Sequence, residues 1–204
     1  MKDFRNNIRN NIEGENKTQA TTEAATRTKS KIIRLVERAA GGDIEAFGEL
    51  YSIYLDRIYR YVFYQVKDKM TAEDITEDVF IKAWKVIDSC KGRGETFSPW
   101  LYRIAHNQVI DILRSRRKQL LTEMETIDKV SGPELEVEGK LERQELLGMI
   151  AYLPEAQRQV IILKFFEGLD NFEIGQVMGK KQGAIRILQM RALSTLRKDI
   201  SKEK

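Results

Sequence analysis

The sequence is poor in the residues that build disulfide frameworks, zinc sites and nucleophilic active sites. Its 204 residues include one cysteine, Cys90, and one histidine, His106. A single cysteine excludes an internal disulfide and a multi-cysteine zinc site, and it is typical of a protein in the reducing cytoplasm. A single histidine, without a phosphate-binding glycine loop or a Ser/His/Asp combination, disfavours an enzyme. We therefore expect no catalytic residue, no metal site and no cofactor.

Long apolar runs are missing as well. No stretch approaches the roughly 18 apolar residues of a membrane span, and the N-terminus lacks the apolar core of a secretory signal. We therefore expect a cytoplasmic protein that does not insert into a membrane. The formal net charge of +4 is too small to indicate a partner. The distribution of charge along the chain is more informative than its total.

Apolar residues recur at helical spacing through most of the chain, which predicts an all-α fold of two small domains. Residues 1–30 contain few large apolar side chains and predict a disordered tail. Residues 31–118 form the first predicted domain and residues 141–204 the second. Between them, residues 119–140 carry six acids against two lysines and predict a flexible acidic linker.

The first domain has an acidic helix. Asp43 is placed to cap a long amphipathic helix that ends near Val66, and Thr71 and Asp74 have the spacing of a capping box for the next one. The apolar face of this next helix contains Ile75, Val79, Phe80, Ala83 and Trp84. The opposite face contains Glu73, Asp74, Glu77 and Asp78. Four acids on one face indicate either a solvated surface or a docking surface for a basic partner.

Residues 97–118 predict an amphipathic helix with a basic exposed face. Ser98 reads as its N-cap and Pro99 as its first residue, and Asp111 is the only acid in the stretch. Basic residues together with aromatic ones suit a nucleic-acid backbone and unpaired bases. The alternative is an ordinary core helix in which Trp100 packs inward and the basic end is solvated.

The second domain has the pattern of a helix-turn-helix. Asp170 and Glu173 form a predicted capping box, the first helix runs to Met178, and Gly179 supplies a tight turn before a helix from Gln182 to about Lys198. The chain from Ile174 to Lys198 has six basic residues and no acid. The predicted buried stripe of the last helix is Ile185, Leu188, Ala192, Leu193 and Leu196. The remaining face of this helix is suited to binding the major groove of DNA. The alternative is that this basic amphipathic helix binds a membrane surface.

These patterns resemble those of bacterial sigma factors of the sigma-70 family. Residues 97–114 read Phe-x-x-Trp-Leu-Tyr-Arg-Ile-Ala-x-Asn…Asp-x-x-Arg, which is similar to the promoter-melting segment. Residues 74–84 read Asp-Ile-x-x-Asp-Val-Phe-x-Lys-x-Trp, which is similar to the helix that grips the polymerase. Residues 153–197 resemble the domain that reads the −35 promoter element. Their order and spacing resemble the two-domain extracytoplasmic-function (ECF) branch.

The resemblance implies a factor that binds core RNA polymerase, recognises −35 and −10 promoter elements and promotes DNA opening. Its partners would be core polymerase, promoter DNA as duplex and melted strand, and, as for many relatives, an anti-sigma factor. The implied polymerase-binding residues are Asp74, Glu77, Asp78, Phe80 and Trp84. The implied −10 residues are Phe97, Trp100, Arg103, Asn107, Arg114, Arg116 and Arg117. The implied −35 residues are Lys180, Lys181, Arg186, Gln189, Met190 and Arg191.

The sequence departs from the family pattern in the helix-turn-helix. The family usually has threonine at the position of Ala184, a small hydroxylic residue near Lys181, and alanine at the position of Gly175. A glycine inside a helix costs about 1 kcal/mol relative to alanine, so Gly175 is expected to weaken its helix.

Two other classes of function remain open on the sequence. A free-standing helix-turn-helix regulator would explain the second domain, but it has no need for the acidic helix or a base-stacking segment. An enzyme would have to use the four acids as metal ligands and His106 as its only imidazole.

Overall fold

The computed structural model describes residues 26–122 and 148–202. Predictions for residues 1–25 and 123–147, which include most of the expected tail and linker, lie outside the described residues. Within the described ranges the chain forms helices and turns without a strand, so the all-α prediction is confirmed. The chain divides into two compact units. One comprises the described residues up to Leu50 with Ile87–Phe97, and the other comprises Tyr51–Val86 with the described residues from Ser98 onward.

The first unit is organised around the junction of two helices. Helix α1 covers residues 26–40, so it begins inside the predicted tail, and α2 begins at Ile44 and extends to Val66 in the second unit. Asp43 accepts a hydrogen bond from the Ala46 amide at 3.0 Å, which confirms the predicted cap. Two short 3₁₀ turns, Ile87–Cys90 and Gly94–Thr96, complete this unit. Cys90 is buried, and burial raises the pKa of its thiol to about 11, so the thiol is unreactive.

The second unit contains most of α2, helix α3 at Lys69–Lys85, and α4, which extends from Phe97 in the first unit to Thr122. Tyr61 and Tyr102 are fully buried and meet edge to face at 5.5 Å. The cap of α3 differs from the prediction. Asp68, not Thr71, is the N-cap and accepts from the Thr71 amide at 2.8 Å. The helix therefore starts earlier than the spacing of Thr71 and Asp74 suggested.

The rest of the second unit is the helix-turn-helix segment. Helix α5 covers residues 148–152, α6 covers Glu155–Ile161 after Pro154, and a π-helical turn follows at Ile162–Phe166. Helices α7 and α8 cover Asn171–Met178 and Gln182–Lys202. The predicted capping box is confirmed, because Asp170 accepts from the Glu173 amide while the Glu173 carboxylate accepts from the Asp170 amide. Gly179 ends α7 at a φ of 64°, which also agrees with the predicted turn.

Gly175 has a packing reason that the sequence did not reveal. A Cβ atom at this position would lie 2.7 Å from the carbonyl oxygen of Lys180. The missing side chain lets the turn before α8 lie directly against α7. The glycine therefore permits the tight packing of the helix-turn-helix, and its helix-propensity cost is offset there.

Replacing Gly175 by alanine should destabilise the protein by about 1–3 kcal/mol, because the added methyl group would push against backbone. Gly183 is the matched control, since it also lies in a helix but has no atom within 4 Å of its would-be Cβ. Gly183→Ala should leave stability unchanged or raise it. Thermal unfolding of both variants measures the difference. Equal midpoints for the two alanine variants would show that the close approach has no energetic consequence.

Candidate nucleic-acid interface

Helix α3 presents its acids to solvent. Glu73, Asp74, Glu77 and Asp78 are exposed, while Ile75 and Val79 are buried on the opposite face. Phe80, one of the expected polymerase contacts, is only 5% exposed and packs edge to face on Tyr51 at 4.7 Å. It lies in the core and holds the helix from inside. Trp84 is half-buried, so part of its ring surface remains accessible.

Helix α4 separates its apolar and basic residues cleanly. Leu101, Tyr102, Ala105 and Val109 are buried, and Phe97 is also buried. The exposed residues of its polar stripe follow one another at helical spacing: Arg103, Asn107, Asp111, Arg114 and Lys118. Arg117 is exposed beside them, and Trp100 is half-buried. The helix thus offers a polar, mainly basic surface, but Phe97 cannot stack on DNA from its buried position.

Arg116 has a structural partner instead of an open position. Its guanidinium donates to the hydroxyl of Thr71, which in turn donates to the carboxylate of Asp68. It also approaches the carbonyl oxygen of Val66 at 3.4 Å. The bonds from Thr71 lower the pKa of Asp68, and the nearby Arg116 charge lowers it further. Arg116 therefore ties α4 to the connection between α2 and α3.

A groove opens where α3 ends beside the polar stripe of α4. It has a volume of about 410 Å³ and is lined by Lys82, Lys85, Val86, Ile104, Asn107, Gln108 and Asp111. Gln108 lines this groove, and its Nε2 atom is buried without a hydrogen-bond partner within the described structure. The sequence reasoning selected Asn107 but missed Gln108 and the two lysines, because their approach depends on helix packing.

Helix α8 carries the second basic surface. Lys180, Lys181, Arg186 and Arg191 are exposed at or beside it. Met190 is also exposed and Gln189 is half-buried. Leu193 is 40% exposed, so its prediction as a core residue is wrong, whereas Ile185, Ala192 and Leu196 are buried as predicted. The exposed face therefore mixes charged and apolar side chains, which suits both phosphates and base edges.

His106 lies in the second unit with its ring half-buried. The Tyr61 hydroxyl and His106 Nδ1 are 3.4 Å apart. Burial, and secondarily the positive charge of Lys180, lower the pKa of His106, which keeps the imidazole neutral at neutral pH. No cluster of three or more potential His, Cys, Asp or Glu ligands occurs in the described ranges. Within those same ranges, none of the helices has the length and hydropathy required to cross a membrane.

Comparison with known families finds two matched regions in the chain. The profile of Sigma-70 region 2 matches residues 50–119, and that of Sigma-70, region 4 matches residues 143–196. The chain is 39% identical over 176 residues to the ECF RNA polymerase sigma factor BldN of Streptomyces coelicolor, covering 84% of this chain and 67% of that one. It is 30% identical over 185 residues to the ECF RNA polymerase sigma factor SigW of Bacillus subtilis, covering 83% and 96%.

Solved structures share the fold. The sigma factor RpoE of Bartonella quintana, solved with the anti-sigma factor NepR, superposes with a TM-score of 0.68 at 21% identity, covering 79% of this chain and all of that one. CnrH, solved with the cytosolic domain of CnrY, gives 0.64 at 23% identity, covering 85% and 99%.

The two matched regions define the class of the chain as a transcription initiation factor that recognises promoters together with RNA polymerase. The chain belongs to the ECF subfamily of the sigma-70 family. The region 2 match removes the free-standing regulator as an explanation, because such a regulator needs only the helix-turn-helix. Its relatives are sigma factors, which are not enzymes.

Replacing Arg116 by alanine should lower the unfolding midpoint by several degrees, because a charged hydrogen-bond donor worth about 1–2 kcal/mol is lost. Arg117→Ala is the matched control, since Arg117 is an exposed neighbour of the same charge. It should change stability by less than about 0.5 kcal/mol. Differential scanning calorimetry of both variants tests whether Arg116 stabilises the fold. Equal shifts of the two unfolding midpoints would contradict that role.

Proposed function

We propose that three surfaces of this chain divide the work of promoter recognition. Asp74, Glu77, Asp78 and the accessible part of Trp84 bind core RNA polymerase, the groove beside Asn107 takes a base of the melted −10 element, and α8 reads the −35 element. The groove is the main observation behind this proposal, because two amides and two lysines line it beside the exposed polar stripe of α4. The protein acts by binding alone, in the cytoplasm, without a catalytic residue or cofactor.

The acidic face supports the polymerase contact through charge. Its carboxylates are exposed on one side of α3, and the buried side fixes that helix against its neighbours. Exposed charges steer a basic partner and set the register of docking. Phe80 is buried and packs edge to face on Tyr51, which holds α3 in position from its inner side.

The groove supports capture of an unpaired base. Asn107 and Gln108 offer amide donors and acceptors, as a base edge requires, and Ile104 and Val86 offer apolar wall. Lys82 and Lys85 lie at the same groove, where their charge would attract the adjoining phosphates. Base flipping costs a few kcal/mol, which hydrogen bonds and apolar contact in a pocket can offset.

Helix α8 supports duplex recognition. Arg186 and Arg191 are exposed on the helix that follows the tight turn, the position of a recognition helix. The co-crystal structure of RpoE with an anti-sigma factor adds a further partner by analogy. We propose that an anti-sigma factor can cover the exposed surfaces of this chain.

Reversing Asp74 and Asp78 to lysine should weaken core-polymerase binding by about tenfold or more, because attraction becomes repulsion. The double variant Glu45→Lys and Asp56→Lys, at two exposed positions of α2, controls for the same change in net charge. Fluorescence titration of labelled chain with core polymerase measures both. Undiminished binding by the double variant would assign the contact to another surface.

Asn107→Ala and Gln108→Ala should each reduce promoter opening without weakening polymerase binding, since their proposed partner appears only when a base leaves the stack. Permanganate reactivity of thymines should fall on duplex template and recover on a template with a pre-melted bubble. Ser115→Ala, at an exposed α4 position outside the groove, is the control. If both variants open duplex DNA as well as the control does, the groove does not bind the unpaired base.

Arg186→Ala and Arg191→Ala should weaken binding to −35 duplex DNA. If the lost arginine contacted a base, binding should weaken by about 1–3 kcal/mol on the cognate sequence only. If it contacted a phosphate, binding should weaken on all sequences, and the slope of the logarithm of affinity against the logarithm of salt concentration should fall by about one. Arg34→Ala, an exposed position on α1, is the control. Anisotropy titrations over a salt series separate these roles. Unchanged binding by both variants would show that α8 does not bind the major groove of the DNA.

A further inference from the structure

The segment that joins α3 to α4 is packed together with α1. We call this segment, Ile87–Phe97, the connection. It belongs to the same compact unit as α1, whereas α3 and the rest of α4 belong to the other unit. Leu35, Val36 and Ala39 of α1 are buried, but the match to Sigma-70 region 2 begins only at residue 50. Helix α1 is therefore a packed element to which neither the family match nor the proposed surfaces assign a role.

A hydrogen bond fixes the centre of the connection to α1. The Gly92 amide donates to Glu37 Oε1 at 2.8 Å, across 55 residues of sequence. Gly92 has a φ of 70°, a conformation that favours glycine. A bond from a backbone amide to a carboxylate is stronger than one between two neutral groups. The bond therefore joins a turn that requires glycine to a strong acceptor on α1.

The backbones of α1 and the connection also approach each other closely. A Cβ atom at Gly94 would lie 2.9 Å from the Cα atom of Ile33. Gly94 is buried, and its φ is outside the positive range that favours glycine. The close approach to α1 is therefore the reason that a side chain does not fit at this position.

Hydrogen bonds inside the connection fix its shape. The Arg93 amide donates to the Cys90 carbonyl at 2.8 Å, and the Thr96 amide donates to the Arg93 carbonyl at 2.9 Å. Bonds between such near neighbours do not determine where the connection lies. Ile87 and Phe97 are buried at its two ends. The contacts of α1 fall between these ends, so α1 holds the centre of the connection in place.

The connection leads from one wall of the groove to the helix that forms the other wall. Val86 lines the groove where α3 ends, and Ile87 follows it in the chain. Phe97 begins α4, and Asn107 of α4 lines the same groove. Binding sites must hold their groups within about 0.5 Å of the productive geometry. Because the connection is covalently joined to both walls, a shift of its centre would disturb the groove.

We propose that α1 positions the connection for capture of the unpaired −10 base, through Glu37 and Ile33. This proposal rests on the proposed function of the groove. Glu37 and Ile33 are positioning residues, because they act through the connection and not by touching DNA. Loss of their contacts should therefore slow promoter opening while the affinity for core polymerase and for −35 duplex DNA stays unchanged.

The test compares Glu37→Ala with the conservative variant Glu37→Gln, whose amide oxygen can still accept from the Gly92 amide. The full chain is assayed with core polymerase on a duplex promoter that the wild type opens, by permanganate reactivity of thymines over time. Glu37→Ala should slow opening about two- to tenfold, the range expected for one lost hydrogen bond. Glu37→Gln should restore most of the rate. Glu45→Ala, at an exposed position of α2, controls for loss of an acid.

Hydrogen exchange of the Gly92 amide in the free chain reports the contact itself. Exchange should be faster in Glu37→Ala than in the wild type, and close to wild type in Glu37→Gln. Gly94→Ala tests the second contact, because its methyl group would push the connection away from Ile33, and it should slow opening as well. Gly48→Ala is its matched control, since Gly48 has no atom within 4 Å of its would-be Cβ.

Three results would overturn the role of α1. They are wild-type opening by Glu37→Ala, wild-type exchange of its Gly92 amide, and a loss of polymerase affinity as large as the loss of opening. Asn107→Ala in the same assay separates this failure from failure of the proposed function. If Asn107→Ala slows opening and Glu37→Ala does not, only the role of α1 is wrong. If Asn107→Ala opens DNA like the wild type, the groove assignment is wrong, and the role of α1 is wrong with it.

Discussion

The packing of α4 on α2 through buried tyrosines is the constraint on which the region 2 surfaces depend. Tyr61 and Tyr102 are completely buried and meet edge to face, so α4 cannot rotate without breaking this contact. The fixed rotation directs Arg103 and Asn107 outward and places Asn107 beside the end of α3. The Tyr102 hydroxyl also donates a hydrogen bond to Glu167, so the same side chain joins α4 to the residue that follows the π-helical turn.

Charge is sorted among the helices rather than accumulated over the whole molecule. The exposed acids of α3, the basic stripe of α4 and the basic face of α8 lie on different elements, while the net charge is only +4. A basic polymerase surface attracts acids, whereas a DNA backbone attracts basic residues. Separate helices allow one chain to present both kinds of charge. Not every basic residue of α4 is available to DNA, because Arg116 donates a hydrogen bond to Thr71 and stabilises the fold.

Local patterns could be predicted well from the sequence. Asp43 and Asp170 cap their helices, and Gly179 turns the chain, because these features depend on neighbouring residues alone. The cap at Asp68 was missed because the capping-box spacing of Thr71 and Asp74 favoured a later helix start. Tertiary relationships were beyond local patterns. The contacts of Glu167 lie 110 and 65 residues away, and the burial of Phe80 and Phe97 follows from packing.

This chain directs core RNA polymerase to promoters through two separate DNA contacts. Transcription by purified core polymerase with the full chain, on a genomic fragment library with start sites mapped, tests this most directly. The expected start sites depend on the chain and share two upstream sequence blocks. Loss of either block should abolish initiation. Transcription independent of the chain, or start sites sharing only one block, would contradict it.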